Sequence, residues 1–255
     1  MTRAYKAPGP DGFPAEFYQT FWDVIQSDLL EMFQDLHARH LELFRLNFVE
    51  IILLPKVNGA ERIQQYRPIC LLNVSFKIFT KTATIRLNSV ADHVVRPTAF
   101  MQGRNILDGV VILHETVHEM HRKKLNGVIL KIDFEKAYDK VKWSFLQQTL
   151  RMKGFSAEWR AMIHNFVSGG SVAIKVNDDV GRNFQTKKGL RQGDPLSPIL
   201  FNIVADMLAI IIERAKSDGQ IVGVVPHLVD GGLSSYNTPT IQFFLWNMIW
   251  RRQET

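Results

Sequence analysis

Apolar residues recur at every fourth position near the start of the chain, a spacing that places them on one face of a helix. The pattern predicts a helix over residues 11–39, with Asp11 and Pro14 suited to its opening turn. The apolar positions of this helix are Phe13, Phe17, Phe21, Ile25, Leu29 and Phe33. Similar spacing predicts two further helices over residues 71–90 and 106–120.

Two short apolar runs predict strands. Residues 48–54 (FVEIILL) are β-branched and stop at Pro55, where a basic loop begins. Residues 127–134 (GVILKIDF) follow the turn pair Asn126-Gly127 and are apolar enough for a buried central strand. Asp133 then lies at the carboxyl end of that strand, and residues 135–141 are expected to turn into another helix.

The second half of the chain predicts a hairpin followed by a long helix. Val172, Ile174 and Val176 alternate with smaller or polar residues, and a second strand is expected near residues 184–187. After a loop rich in Gly and Pro, residues 198–215 are apolar, with Ser197 and Pro198 favouring a helix start. Helices and strands alternate without a strict βαβ rhythm, so the predicted fold class is α+β.

Composition narrows the class of protein. The 255 residues are 46% apolar and 22% charged, which allows a sizeable core and excludes disorder as the main state. A net charge of +6 and a pI of about 9.4 favour an anionic partner, although a solvated surface explains the charge equally well. The single cysteine, Cys70, cannot form an intrachain disulfide. No signal peptide or membrane span is expected, so the sequence predicts a soluble intracellular protein.

Three places could carry chemistry. A carboxylate at the strand end, Asp133, could hold Mg²⁺ against a phosphate, but alone it is more typical of an Asp that caps the next turn. The loop and helix start GLRQGDPLSPILFN (residues 189–202) offer backbone amides to an anion, or simply connect to a core helix. Lys56 and Arg67 could clamp a triphosphate, or be solvated surface charge.

Together these segments resemble a known family. The ordered blocks KAPGPDGFPAEFY, LLPKVNGAERIQQYRPICLLNVSFKIFTK, AFMQGRNILDGV, LKIDFEKAYDKV and KKGLRQGDPLSPILFNIVADML are similar to the reverse transcriptase of non-LTR retrotransposons, the long interspersed elements, in a plant-like version. The resemblance implies a right-hand polymerase fold of fingers and partial palm, with the thumb absent. Residues 1–125 would form the fingers and the start of the palm, residues 126–233 the palm with motifs A and B, and residues 234–255 an aberrant tail.

The resemblance also implies roles for single residues in RNA-templated DNA synthesis with two Mg²⁺ ions. Asp133 matches the first catalytic aspartate, and the backbone carbonyl of Phe134 would help to hold a metal. Tyr138 matches the aromatic residue that closes against the 2′ position of the sugar. Expected contacts to the incoming deoxynucleoside triphosphate come from Lys56, Arg67, Gln192 and Gly193, and those to the RNA template from Gln102 and Arg104. A DNA primer is the other expected partner, and the family expectation for localisation is the nucleus.

The resemblance stops before the Tyr-Ala-Asp-Asp hairpin that completes the family's metal site. Beyond Asp230 the only carboxylate side chain is that of Glu254, so catalysis is expected to be lost. Codon degeneracy allows residues 235–243 to be encoded so that the frame shifted by two nucleotides reads Leu-Gln-Tyr-Ala-Asp-Asp-Thr-Ile. The hypothesis is a one-nucleotide deletion near codon 234.

Loss of the hairpin would leave the strand that ends at Asp133 with an unpaired edge. The apolar run IQFFLWNMIW could replace the hairpin as an irregular strand or helix, or stay an exposed tail. Three functions remain open at this point: an inactive reverse transcriptase domain, a non-catalytic module that binds RNA or an RNA–DNA hybrid, and a remnant with no selected function. Retained polymerase activity would need a substitute acid, for which Glu254 is a poor candidate.

Overall fold

The computed structural model describes residues 7–94, 106–133, 136–177, 179–224, 235–237 and 241–247. Its helices are α1 (Ala15–Thr20), α2 (Trp22–Ala38), α3 (Val74–Val94), α4 (Ile106–Arg122), α5 (Trp143–Met152), α6 (Ala157–Ser168) and α7 (Ser197–Ser217). Its strands are β1 (Phe48–Pro55), β2 (Tyr66–Leu72), β3 (Val128–Asp133), β4 (Ser171–Val176), β5 (Asp179–Val180), β6 (Phe184–Gln185), β7 (Val222–Gly223), β8 (Ser235–Asn237) and β9 (Ile241–Asn247).

The chain divides into two compact units, and each unit consists of two segments that alternate along the sequence. The first unit comprises Met1–Leu87 and Tyr138–Phe201, and the second comprises Asn88–Ala137 and Asn202–Thr255. Each unit contains one sheet and helices, so the predicted α+β class is confirmed. The division into fingers, palm and tail segments stays a prediction.

The sheet of the first unit has the strand order β2-β1-β4-β5, and β6 also pairs with β4. Strand β1 runs antiparallel to β2 and parallel to β4. Because successive side chains of a strand alternate between faces, the buried residues Val49, Leu72 and Val172 share one face of this sheet. Arg67 pairs with Leu54, and Lys56 lies two residues after Leu54. Both cations therefore belong to the face of the hairpin opposite this core.

Helices α2, α3 and α6 form the apolar core of the first unit. The rings of Phe33 and Phe79 lie 4.4 Å apart, and those of Phe76 and Phe166 meet edge to face at 5.9 Å. The single helix predicted over residues 11–39 is wrong in one respect, because α1 and α2 are separated at Phe21, whose φ of −99° and ψ of 22° leave the helical region. Phe13 and Phe21 are 45% and 47% exposed, so this end of the apolar stripe is not core.

In the second unit, strand β9 of the tail pairs with β3. Strand β9 runs antiparallel to β3 from Val128↔Trp246 to Asp133↔Ile241, and β8 and β7 also pair with β9. The expectation that β3 lacks a strand in place of the hairpin is therefore wrong, because β9 pairs along one edge of β3, which is the end strand of the described order β3-β9-β7. Of the alternatives for the apolar tail, a strand is the one that the structure shows.

Most of the predicted elements are confirmed with small shifts of their ends: β1, α3, α4, β3, the β4–β6 hairpin and α7. The helix predicted over residues 135–141 is wrong, because residues 136–140 form a turn and α5 begins at Trp143. Strand β2 and helix α6 were not predicted. None of the helices in the described ranges is both long enough and apolar enough to cross a membrane.

Candidate nucleotide site of the first unit

Three segments that are distant in sequence are joined by main-chain hydrogen bonds in the first unit. The Leu190 amide donates to the Tyr138 carbonyl at 2.8 Å, and the Cys70 amide donates to the Gln192 carbonyl at 2.9 Å. The loop of residues 189–194, here called the clamp loop, is therefore bonded on one side to the turn after β3 and on the other to β2. Four backbone atoms of the clamp loop and its neighbours are thus satisfied without water.

Two glycines allow this close approach. Gly193 has a φ of 111°, and a Cβ there would lie 2.9 Å from the Cys70 carbonyl oxygen. Gly189 has a φ of 101°, and its Cβ would lie 3.2 Å from the carbonyl oxygen of Asp139. Any other residue would combine backbone strain with a steric overlap at Gly193. The Trp143 indole N–H also donates to the Gly189 carbonyl at 2.8 Å.

Two charged side chains, that of half-buried Arg191 and that of buried Asp194, flank the tip of the clamp loop. The Arg191 guanidinium donates to Asn47 Oδ1 and lies over the Phe76 ring, 5.7 Å from its centroid. Asp194 is 7% exposed and accepts a hydrogen bond from the Leu196 amide at 3.0 Å. Burial lowers the pKa of Arg191 and raises the pKa of Asp194, and each partly offsets the other's shift through its opposite charge.

Tyr138 is held by an aromatic neighbour. Its ring stacks on that of Phe201, with centroids 5.1 Å apart and an angle of 24° between the planes. Burial raises the pKa of the Tyr138 phenol above its ordinary value of 10.0. The side chain that is expected to face the sugar therefore has a fixed ring orientation and a protonated hydroxyl at neutral pH.

Lys56 and Arg67 lie at the loop end of the β1–β2 hairpin and are both exposed. Arg67 pairs with Leu54, two residues before Lys56, so the two cations belong to the same face of the hairpin. The loop between them is ordered by its own bonds: the Lys56 ammonium donates to the Gln64 carbonyl at 2.9 Å, and the Tyr66 hydroxyl donates to the Ala60 carbonyl at 2.7 Å. An anion approaching this face meets two positive charges, of which that of Lys56 is held by its bond to the Gln64 carbonyl.

Five of the predicted site residues belong to the first unit: Lys56, Arg67, Tyr138, Gln192 and Gly193. The main-chain bonds and glycine packing of the clamp loop hold Gln192 and Gly193 against β2 and Leu190 against Tyr138, whereas Lys56 and Arg67 belong to the other face of the hairpin from Cys70. The backbone of Asp133 ends β3 in the second unit. Phe134, Gln102 and Arg104 lie outside the described residues.

Among the residues that the structure describes, the donor groups do not fit a site for two metal ions. Within the described ranges, no three His, Cys, Asp or Glu residues are grouped so that they could hold a metal. Strand β9 places Ile241 opposite Asp133, and neither β8 nor β9 contains a carboxylate residue. Because each Mg²⁺ ion normally takes one or two carboxylates beside substrate phosphates, Asp133 alone does not supply enough ligands for a pair of ions.

Sequence reasoning missed the residues that support the clamp loop. Arg191 stood within a recognised block, but its burial could not be predicted because its partner Asn47 is 144 residues away. Phe201 was assigned only to the helix that follows the loop. The available signal is the order Gly-Leu-Arg-Gln-Gly-Asp at residues 189–194, which places two charged residues and two glycines shortly before a helix.

Cys70 lies on the other face of β2 from Arg67, beside a cavity of about 260 Å³ beneath the clamp loop. The cavity is also lined by Pro68, Asp139 and Gln192. Burial raises the pKa of the Cys70 thiol to about 11. The thiol is therefore almost entirely protonated at neutral pH and unreactive as a nucleophile.

Comparison with known families and proteins gives a consistent result. The family described as "Reverse transcriptase (RNA-dependent DNA polymerase)" matches residues 54–224. The transposon TX1 uncharacterized 149 kDa protein of Xenopus laevis is 28% identical over 211 residues, which are 82% of this chain and 16% of that protein. The Pol polyprotein of the retrotransposable element R2DM of Drosophila melanogaster is 27% identical over 202 residues, 79% of this chain and 19% of that protein. The chain thus spans about a fifth of the length of these curated relatives.

Solved structures show the same fold at low sequence identity. Apo telomerase from Candida tropicalis, truncated from its C-terminal domain, has a TM-score of 0.53 at 13% identity, covering 79% of this chain and 44% of the telomerase chain. Telomerase from Candida albicans, in complex with the TWJ fragment of telomeric RNA, has a TM-score of 0.53 at 12% identity and covers 93% and 43% of the two chains. These likenesses support the fingers and palm type of fold.

Proposed function

This chain belongs to the reverse transcriptase (RNA-dependent DNA polymerase) family, and from that premise we propose that it binds an RNA template and a deoxynucleoside triphosphate in its first unit but does not polymerise. The non-LTR retrotransposon character of its relatives makes RNA the expected template. The observation that carries the loss of polymerisation is the pairing of Asp133 with Ile241 across β3 and β9.

Charge distribution supports binding at the hairpin and clamp loop. Residues 11–36, which include α1 and α2, contain six acidic residues and neither Lys nor Arg, although the whole chain has a net charge of +6. A phosphate backbone is repelled by that acidic segment and attracted by Lys56 and Arg67. The hairpin face is therefore the favoured approach for the anionic ligands.

The strand register supports the proposed loss of polymerisation. Residues directly opposite each other in an antiparallel pair have Cβ atoms about 4.5–5.5 Å apart, close enough for two carboxylates to share a cation. The residue opposite Asp133 is Ile241, which has no oxygen to offer a metal. The shifted reading frame would put its two aspartates at positions 240 and 241, and the second of these lies opposite Asp133. This coincidence of frame and register supports a one-nucleotide deletion near codon 234 as the origin of the tail.

The first experiment compares the chain with its Thr240→Asp/Ile241→Asp variant. We expect the unaltered chain to extend no DNA primer on an RNA template in Mg²⁺ or Mn²⁺, and to bind Mn²⁺ more weakly than the variant does. Electron paramagnetic resonance of free Mn²⁺ measures binding independently of activity. Thr240→Asn/Ile241→Asn is the matched control, because it changes size similarly without adding charge. Extension by the unaltered chain in either metal would overturn the proposal.

The second experiment tests binding. Each cation that contacts a single-stranded phosphate contributes about −0.7 to the slope of log K against log salt. We expect Lys56→Gln/Arg67→Gln to weaken binding of a single-stranded RNA and to reduce the slope by about 1.4. The charge-matched control is Arg151→Gln/Lys153→Gln, at the end of α5. Equal effects of the two double variants would show that the chain attracts RNA only through its net charge.

Two further expectations stay predictions. Use of Mg²⁺ is expected only when the missing carboxylates are restored. Nuclear localisation is the expectation for an element that copies itself into chromosomal DNA, and imaging of the tagged chain in cells checks it.

A further inference from the structure

We infer that Arg191 is a positioning residue: its buried guanidinium holds Gln192 and Gly193 against β2 and so sets the affinity of the nucleotide site. The part of this inference that concerns affinity rests on the proposed function. The part that concerns the position of the clamp loop does not, and the experiment below measures the two separately.

A fully buried amide orients the guanidinium. Asn47 has no exposed surface. Its side-chain Nδ2 donates to the Phe166 carbonyl at 3.4 Å, and its main-chain carbonyl accepts from the Ser171 amide at 3.1 Å. The first bond orients the side-chain amide so that Oδ1 accepts from Arg191, and the second holds the backbone of Asn47. Because the amide cannot turn away without losing its bond to Phe166, it provides a fixed anchor.

A glycine leaves the space for the anchored cation. A Cβ at Gly170 would overlap Arg191 Nη2 and would lie 2.8 Å from the Asn47 carbonyl oxygen. Gly170 does not have a positive φ, so its backbone conformation is open to other residues. Alanine at this position therefore acts by filling the space of the guanidinium and not by straining the chain.

The anchor is coupled to the clamp loop through a very short stretch of backbone. Gln192 and Gly193 are the two residues between Arg191, whose Nη2 is buried, and the buried Asp194. Their positions on β2 depend on the 2.9 Å bond from the Cys70 amide and on the close packing of Gly193 against the Cys70 carbonyl. With both ends fixed in the core, these two residues have little freedom to leave β2.

The choice of an arginine argues against a merely space-filling role. Burying a guanidinium is costly, and a well-packed apolar residue of similar volume is often as stable or more so. Among the described residues, Arg191 Nη2 is buried without a hydrogen-bond partner, which adds to that cost. A Met at this position keeps the apolar contact with Phe76 and loses the bond to Asn47. Arg191→Met therefore separates stability from loop position.

Cys70 provides the readout for loop position, because it is the only cysteine and its backbone is bonded to the clamp loop. The rate of reaction with 5,5′-dithiobis(2-nitrobenzoate) in native buffer reports how often the loop leaves β2. We expect Arg191→Met and Gly170→Ala to raise this rate at least tenfold, while the midpoint of urea unfolding changes little for Arg191→Met. The matched controls are Arg182→Met and Gly181→Ala, and both are expected to label at the rate of the unaltered chain.

Nucleotide affinity is measured on the same proteins. We expect Arg191→Met to weaken dTTP at least tenfold on a bound RNA–DNA template–primer with a templating adenine, and to leave RNA affinity unchanged. Faster labelling without any nucleotide binding by the unaltered chain would refute the proposed function and keep Arg191 as the loop anchor. Labelling by Arg191→Met at the unaltered rate, or labelling that rises only in proportion to lost stability, would overturn the inference.

Discussion

Tyr138 and Phe201 stack at a centroid distance of 5.1 Å, although 62 residues of sequence separate them. Tyr138 belongs to the turn after β3, and Phe201 to the first turns of α7. The start of α7 thus supports the ring that, by resemblance, closes against the sugar of a nucleotide. This support makes the ring's position depend on a residue that need not touch the nucleotide.

Replacement of Phe201 by Leu should release the tyrosine ring. Loss of the stacked pair is expected to cost about 0.5–1.5 kcal/mol in the free energy of unfolding beyond the change in buried area. Since burial raises the pKa of Tyr138, greater access to water should move that pKa back toward 10.0. Ultraviolet titration of the chain with and without Tyr138→Phe isolates this phenol. Phe184→Leu, at an exposed ring, is the control and should change neither quantity.

Alanine at Gly193 should destabilise the first unit more than alanine at Gly59. Both positions have a positive φ, but a Cβ at Gly193 meets the Cys70 carbonyl whereas a Cβ at Gly59 meets no atom within 4 Å. Backbone strain alone is worth about 1–3 kcal/mol, so Gly59→Ala measures strain and the excess in Gly193→Ala measures the clash. Urea unfolding of the two variants gives both values. Equal destabilisation would mean that the clamp loop does not lie against β2.

The rate of Cys70 labelling should keep rising at pH values where the labelling rate of an ordinary thiol no longer changes. The thiolate is the reacting form, and the pKa of about 11 leaves only a small fraction of it at pH 8. The alkylation rate with iodoacetamide should therefore keep rising about tenfold per pH unit up to pH 10, whereas an ordinary thiol levels off above about pH 8.5. In urea the folded environment is lost and the ordinary profile should return. A native profile that levels off near pH 9 would contradict the burial of this thiol.

Proline at Phe244 should disrupt the second unit. Phe244 pairs with Leu130 near the middle of the β3–β9 ladder, and proline removes a backbone donor there. We expect Phe244→Pro to cost about 3 kcal/mol or more and to promote association through the freed edge of β3. Phe244→Ala keeps the amide and serves as the control for loss of the side chain. Light scattering and urea unfolding distinguish the two, and indistinguishable variants would argue against the β3–β9 pairing.

Local signals in the sequence were sufficient for elements that depend on local chemistry. The end of β3 at Asp133 and the start of α7 at Ser197 follow from an apolar run and from residues suited to a helix start. Strand β2 was missed because Pro68 interrupts it, yet proline is tolerated there since β2 is an edge strand. The helix expected after Asp133 does not form, and Lys136 has a φ of 50°, outside the helical region.

The support of the candidate site depends on long-range contacts that one sequence does not reveal. Asn47, Gly170 and Arg191 come from three separate segments of the sequence. None of the three has neighbours in its own segment that indicate its role. Their relationship depends on the parallel pairing of β1 with β4, which brings Asn47 beside Ser171. Burial of the Arg191 Nη2 atom is a property of that assembly, so no spacing rule could identify it.

The parallel pairing of β1 with β4 also sets an order of events during synthesis. Strand β1 leaves the ribosome long before its partner β4 exists, and closing so large a loop is slow compared with forming the adjacent β1–β2 hairpin. By the time Phe201 has been added, every residue of the first unit has been made. The deletion proposed near codon 234 would therefore fall after every codon of the first unit, so messages with and without it would encode an identical clamp loop and hairpin.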